Sequence, residues 1–170
     1  MTFAKIYHTP DGFDDMVMSS NGEVLTGLRF INSQNQSKHT MDREEKELSV
    51  FRDTKEWLDI YFSGRQPDFT PAYRIDHFTP FRKEVSDRMQ LIPFGQTMTY
   101  GEIAALIAQK RGIKRMSAQA VGGAVGWNPI CIIIPCHRVI GADKSLTGYG
   151  GGIKNKIALL KLEGIEFRKQ

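Results

Sequence analysis

The sequence predicts an α+β fold in which a small antiparallel sheet with one helix precedes a mostly helical second part, and three observations carry that reading. Short segments rich in apolar and β-branched residues crowd the first thirty positions. Helix caps and helical apolar spacing dominate from residue 79 onward. Between them, residues 65–80 hold Pro67, Pro71 and Pro80. That stretch reads as an irregular linker with one short strand, and it sets the expected boundary between a domain of residues 1–76 and one of residues 77–170.

Residues 4–7, 15–19 and 23–31 are the expected strands, and Asn21-Gly22 is a hairpin signal because both residue types tolerate positive φ. Residues 44–62 carry Leu48, Phe51, Leu58, Tyr61 and Phe62 at near-helical spacing, with Gly64 just past the end. Thr79-Pro80 opens a second helix through Leu91, stopped by Pro93-Phe94-Gly95. Thr99 caps a third over 99–110, where Glu102 completes a capping box. After the turn at 111–115, Ser117 caps a fourth helix over 118–126, whose residues are nearly all small. Two helices joined by a Gly-containing turn are the outline of a helix-turn-helix; two packed helices with no DNA role would look the same. Residues 130–134 are a buried strand by composition, stopped by Pro135, and 153–163 is the last helix.

Composition narrows the classes. With 170 residues, 41% hydrophobic and 25% charged, and no run of 18 apolar residues, disordered, collagen-like and membrane-spanning chains are excluded. The start reaches Asp11, Asp14 and Asp15 before any long apolar segment, so no secretory signal and a cytoplasmic home are expected. The net charge of +4 is uneven: residues 1–76 hold nine Lys and Arg against thirteen Asp and Glu, and residues 77–170 hold fourteen against six. A half at +8 points to nucleic acid or phosphorylated substrates, or else to a solvated basic face.

Cys131 and Cys136 are the two cysteines, in a run that reads as too extended to bridge, so reduced thiols are expected. Cys136, at the end of the apolar run beside His137 and Arg138, sits where cationic neighbours lower a thiol pKa. Cys131, inside the run, suits a buried core thiol. Adjacent side chains in extended chain face opposite ways, so His137 is expected to reach Cys136 through water, oriented by a carboxylate for which Glu163 is the candidate.

Residues Ile134-Pro135-Cys136-His137-Arg138-Val139, preceded by Asn128-Pro129 and Ala120-Val121-Gly122-Gly123-Ala124, resemble the signature of the O6-alkylguanine-DNA alkyltransferases, also called methylated-DNA-protein-cysteine methyltransferases. The likeness runs from Thr79 to Gly164; the first third matches in its strand and helix outline, which in this family is ribonuclease H-like. The resemblance implies direct-reversal repair: O6-methylguanine, with O4-methylthymine as a further substrate to test, is flipped from duplex DNA and its alkyl group moves irreversibly to Cys136. It implies His137 as the water-mediated base, Glu163 as its orienting carboxylate and Asn128 as the brace of the thiol loop. Tyr100 would hydrogen-bond guanine N3, Gly150 would contact O6, and Val139 and Cys136 carbonyls would take the exocyclic amine. Tyr149, Val125 and Leu146 would wall the pocket. Ser117, Gln119, Ala120, Gly122, Lys114, Arg115 and Arg138 would meet DNA, as a monomer with no cofactor and no membrane partner.

Two departures accompany the resemblance. Gln119 stands where the family commonly has an Arg that fills the gap left by the flipped base. No Cys precedes position 131, and His8, His39 and His77 are isolated, so the zinc site of some relatives is not expected. Two other classes compete: a module that binds alkylated DNA without repairing it, in which the reactive Cys is replaced, and a Cys-His hydrolase, which needs an oxyanion hole and a direct Cys-His contact.

Overall fold

The computed structural model describes residues 2–31, 46–146 and 149–168. Strands β1 (Phe3–Tyr7), β2 (Met16–Ser20) and β3 (Leu25–Phe30) form an antiparallel sheet in that order. Only one of the two hairpin residues uses positive φ: Gly22, at 107°. Asn21 works through its side chain, whose Oδ1 accepts from the backbone N–H groups of Glu23 and Val24 at 3.0 Å.

Helix α1 (Ser49–Phe62) begins later than the apolar spacing suggests, because Leu48 is extended; residues 44 and 45 lie outside the described residues. It lays Phe51, Trp57, Leu58 and Tyr61 into the core. In the 65–80 stretch, Tyr73 bridges Leu25, whose N–H donates to the Ala72 carbonyl at 2.9 Å.

The later helices start on their caps. Thr79 Oγ1 accepts from the Arg82 N–H at 3.3 Å to open α2 (Pro80–Gln90). The Thr99–Glu102 capping box opens α3 (Tyr100–Arg111), and Gly112 at φ 68° ends it. Ser117 Oγ accepts from the Ala120 N–H at 3.1 Å to open α4 (Ala118–Trp127). Helix α5 (Ile153–Leu162) leaves Glu163 at its C-cap. A parallel pair with no sequence signal, β4 (Met98–Thr99) with β5 (Val139–Ile140), ties the start of α3 to the segment after Cys136.

One hydrophobic cluster joins both sides of the linker, with Leu28, Phe51 and Leu58 packed in the same core as Val85, Ile103, Val121 and Leu159. Each such buried side chain contributes about 1.5–3 kcal/mol, so the sheet and α1 are held against the helical part by core packing.

The expected strand at 130–134 is absent. Ile130 bridges Leu28, the chain turns at Ile132 with φ 69°, and the Ile134 N–H returns to the Ile130 carbonyl at 3.1 Å. A turn buried on both sides is as apolar as a buried strand, which is why composition misassigns it. A β-branched residue at positive φ is a strained conformation that its surroundings must enforce. Cys136–Arg138 then forms a 3-10 turn where a strand end was expected.

Candidate active site

Asn128 enforces the turn. Buried at the end of α4, its Nδ2 donates to the Ile134 carbonyl at 2.9 Å and to the Ile130 carbonyl at 3.2 Å, while its Oδ1 accepts from the Ile130 N–H at 3.1 Å. One side chain therefore ties both ends of the turn that holds Cys131 and leads into Cys136. The edge of β3 holds the same loop, since the Cys131 N–H donates to the Leu28 carbonyl and the Leu28 N–H to the Pro129 carbonyl, both at 2.9 Å.

The 3-10 turn directs His137 into the core, where it is 0% exposed. Its Nε2 lies 2.5 Å from Glu163 Oε2. Glu163 also accepts from Tyr61 O–H at 2.6 Å, Arg138 Nε at 2.8 Å and the Gly95 N–H at 2.9 Å. Burial alone would raise the Glu163 carboxyl, but His137 and Arg138 outweigh it and hold the carboxyl down at about 2. Burial pushes the His137 imidazole below its usual value against the pull of Glu163, so the ring is neutral at pH 7. A neutral ring that donates from Nε2 to a carboxylate keeps its lone pair on Nδ1, which has no protein partner.

Cys136 and Cys131 line one cavity with Arg29, Tyr100, Gly122, Val125, Tyr149, Gly150 and Lys156. A hydrogen bond from Cys131 lowers the Cys136 thiol to about 7 against desolvation, with help from Asn128, Tyr149 and the Lys156 charge. Lys156 is 0% exposed, its Nζ donates to the Val139 carbonyl at 2.9 Å, and burial lowers its ammonium to about 8. Gly151 keeps the cavity wall close: a Cβ there would come within 2.6 Å of the Tyr149 ring and 2.8 Å of Phe30. Asn155, fully buried, latches that wall by donating to the Gly151 carbonyl at 2.7 Å and to Asp14 at 2.9 Å.

Three expectations are corrected. Arg138 does not face DNA: its guanidinium is buried and spends its donors on Glu163, the Ile92 carbonyl and Gln66. Nor do His137 and Arg138 supply the positive charge beside the thiol, since both turn to Glu163; Lys156 supplies it. Leu146 is not among the cavity's lining residues; it packs with Ile140 and Leu160 in a separate cluster. Val139 is buried beneath the site, offering its carbonyl to Lys156. Ser117, Gln119, Ala120, Lys114 and Arg115 are all exposed. Gln119 lines a shallow groove with Thr99, Gly101, Ala118 and Ala142 that shares Tyr100 and Gly122 with the thiol cavity.

Sequence reasoning missed Tyr61, Lys156, Asn155 and Arg29. The first three are polar groups on helices whose partners lie far along the chain, so no local spacing marks them; a lysine and an asparagine on the apolar side of α5 were the available signal. Among the described residues no group of three or more His, Cys, Asp or Glu is arranged to hold a metal ion, and no helix is long and apolar enough to cross a membrane.

A cysteine of lowered pKa, a neutral histidine held by a buried carboxylate, and an adjoining groove on a small-residue helix define a nucleophilic thiol protein built to receive a group from a bound partner. Residues 80–165 match the family model of the 6-O-methylguanine DNA methyltransferase DNA binding domain, and residues 4–73 that of the ribonuclease-like domain of the same proteins. The methylated-DNA–protein-cysteine methyltransferase of Haemophilus influenzae is 36% identical over 95% of this chain and 88% of its own length. The crystal structure of Mycobacterium tuberculosis O6-methylguanine methyltransferase superposes with a TM-score of 0.80 at 37% identity, covering 96% of this chain and 93% of that one. That of Mycobacterium tuberculosis OGT in complex with DNA gives 0.78 at 37% identity, covering 95% and 92%. The chain belongs to the 6-O-methylguanine DNA methyltransferase family.

Proposed function

We propose that this protein repairs duplex DNA by direct reversal, taking the alkyl group of a flipped O6-alkylguanine onto Cys136. The observation that carries the reading is that the thiol cavity adjoins the exposed groove on α4, with Tyr100 and Gly122 lining both. A base that leaves the stack over that groove enters the cavity where the thiol waits.

In the step itself the Cys136 sulfur attacks the alkyl carbon, an S–C bond forms, the C–O6 bond breaks, and the electron pair leaves with guanine. The thiol proton passes through water to Nδ1 of His137, and Glu163 stabilises the imidazolium through Nε2. Tyr100 donates to guanine N3 and the Gly150 N–H to O6, where charge develops. The Val139 carbonyl has a second lone pair for the exocyclic amine beside its bond to Lys156. Val125 and Tyr149 wall the base. The product is a thioether with no activated carbon for water, so each molecule acts once.

Small residues on α4, among them Ala118, Ala120 and Gly122, allow close approach to the minor-groove walls, α3 and α4 act as the helix-turn-helix, and Gln119 fills the vacated stack. Lys114 and Arg115 contact phosphates. The protein works as a cytoplasmic monomer organised as two domains about residue 76, and O4-methylthymine is a second substrate to test in the same pocket. The experiment is mass spectrometry of the intact protein after incubation with a duplex carrying O6-methylguanine. One methyl group on Cys136 per chain, with no further turnover in excess DNA, is expected; a methyl on Cys131, or repair of many duplexes per chain, overturns the reading.

A further inference from the structure

The buried turn at Ile132 does more than carry the acceptor: it folds the chain back so that Cys131 lines the same cavity as Cys136. Both cysteines are free thiols. Two thiols that a tight turn brings to the wall of one cavity have the approach to each other that a disulfide needs, which an extended run would have denied them. The mechanism of alkyl transfer gives Cys131 no covalent role. We propose that Cys131 is a resolving thiol, an oxidative modification site that closes a reversible disulfide with Cys136 when the protein meets hydrogen peroxide. The inference rests on the reading of Cys136 as the alkyl acceptor only for its consequence, which is that repair pauses while the bond is closed.

The chemistry balances with peroxide as the oxidant. The Cys136 thiolate attacks one peroxide oxygen, the O–O bond breaks, and hydroxide leaves, with a sulfenic acid formed on Cys136. The Cys131 sulfur then attacks the Cys136 sulfur; the S–O bond breaks and the departing hydroxide leaves as water with the Cys131 proton. Two electrons pass from the two sulfurs to the peroxide. The division of labour follows from the site: Cys136 is the stronger thiolate because Cys131, Asn128, Tyr149 and Lys156 all favour its charge, whereas burial and the neighbouring thiolate hold Cys131 protonated. Without a resolving partner the sulfenic acid proceeds to sulfinic acid, which a thiol does not reverse. The disulfide thus protects an acceptor that the cell uses once per molecule.

The test begins on the full-length wild-type protein and needs no variant to decide it. Trypsin leaves both cysteines in the single peptide Met116–Arg138, which contains no internal Lys or Arg. After brief exposure to hydrogen peroxide, that peptide under non-reducing conditions should be about 2 Da lighter and should resist iodoacetamide at both cysteines. Uptake of the benzyl group from free O6-benzylguanine should fall in step with the bridged fraction and return in full with dithiothreitol. In Cys131→Ser and Cys131→Ala, each compared with its own unoxidised activity, the peptide should instead gain about 32 Da as sulfinic acid and the lost activity should not return. A wild-type peptide that gains oxygen without losing two hydrogens, or a Cys131→Ser protein that recovers as fully as wild type, overturns the proposal. Benzyl uptake by unoxidised wild type separately tests Cys136 as acceptor, so the two failures are distinguishable.

Discussion

The relay beneath Cys136 and the outer face of α4 are opposite in physical character. Glu163 receives hydrogen bonds from Tyr61, the Gly95 backbone, His137 and Arg138, contributed by three separate stretches of chain, and the Tyr61, His137 and Arg138 side chains are buried. The outer face of α4 offers Gln119, Ala120 and Gly123, all exposed. Buried charges are tolerated only when fully partnered, which makes the relay rigid and intolerant of substitution. An exposed face of small residues carries little folding energy, so it is free to be shaped for a partner. Chemistry and recognition therefore fail in different ways when they are broken.

The largest effect belongs to the nucleophile. Cys136→Ala should abolish alkyl uptake while leaving affinity for duplex DNA within a few-fold of wild type in a gel-shift titration, since the groove is untouched. Next comes the relay's stability: Arg138→Met leaves the Glu163 carboxylate short of a buried cation and should cost about 3–5 kcal/mol, read by urea denaturation. A substitution on the outer face such as Ala120→Ser should stay within about 0.5 kcal/mol.

The pH profile sharpens the contrast from the chemical side. The Cys136 thiol is lowered to about 7, so uptake from free O6-benzylguanine should rise with pH through that value and fall about tenfold per unit below it. Removing the Cys131 donor destabilises the thiolate, so in Cys131→Ala the midpoint should move to higher pH and the rate at pH 7 should fall. DNA affinity should not follow either curve. The smallest expected effect lies on the basic turn: Lys114→Ala with Arg115→Ala should weaken binding to all duplex sequences alike and reduce the slope of log affinity against log salt by about 2.

How much of this was legible in the sequence follows the same division. The caps at Thr79, Thr99 and Ser117 and the turn at Gly22 act within four residues of themselves, so local pattern was enough. Cys136, His137, Glu163 and Asn128 were marked out by their motif. The turn at Ile132 was not, because an apolar run hides a bend that Asn128 and the β3 edge impose from outside it. Tyr61 occupies a helical apolar position and passes for core filler; its hydroxyl acquires meaning only when α1 docks against Glu163, 102 residues away. The Lys156 ammonium likewise matters only once α5 packs over the 3-10 turn. Arg138 was misread for the complementary reason: a charged residue beside a reactive site looks like a surface contact until its partners are seen.

The claim that recognition and chemistry are separable is tested most directly by paired second-order rate constants on two substrates, a duplex with O6-methylguanine and free O6-benzylguanine. Base extrusion costs a few kcal/mol, and in the proposed function Gln119 acts on that cost alone. Gln119→Ala should therefore slow the duplex reaction by about tenfold, equivalent to about 1.4 kcal/mol, and leave the free-base reaction nearly unchanged. Tyr61→Phe, which removes a donor from the relay carboxylate, should slow both reactions by the same factor. Equal slowing of the two substrates by Gln119→Ala would contradict the account, because it would place Gln119 in the fold or the pocket and remove it from base extrusion.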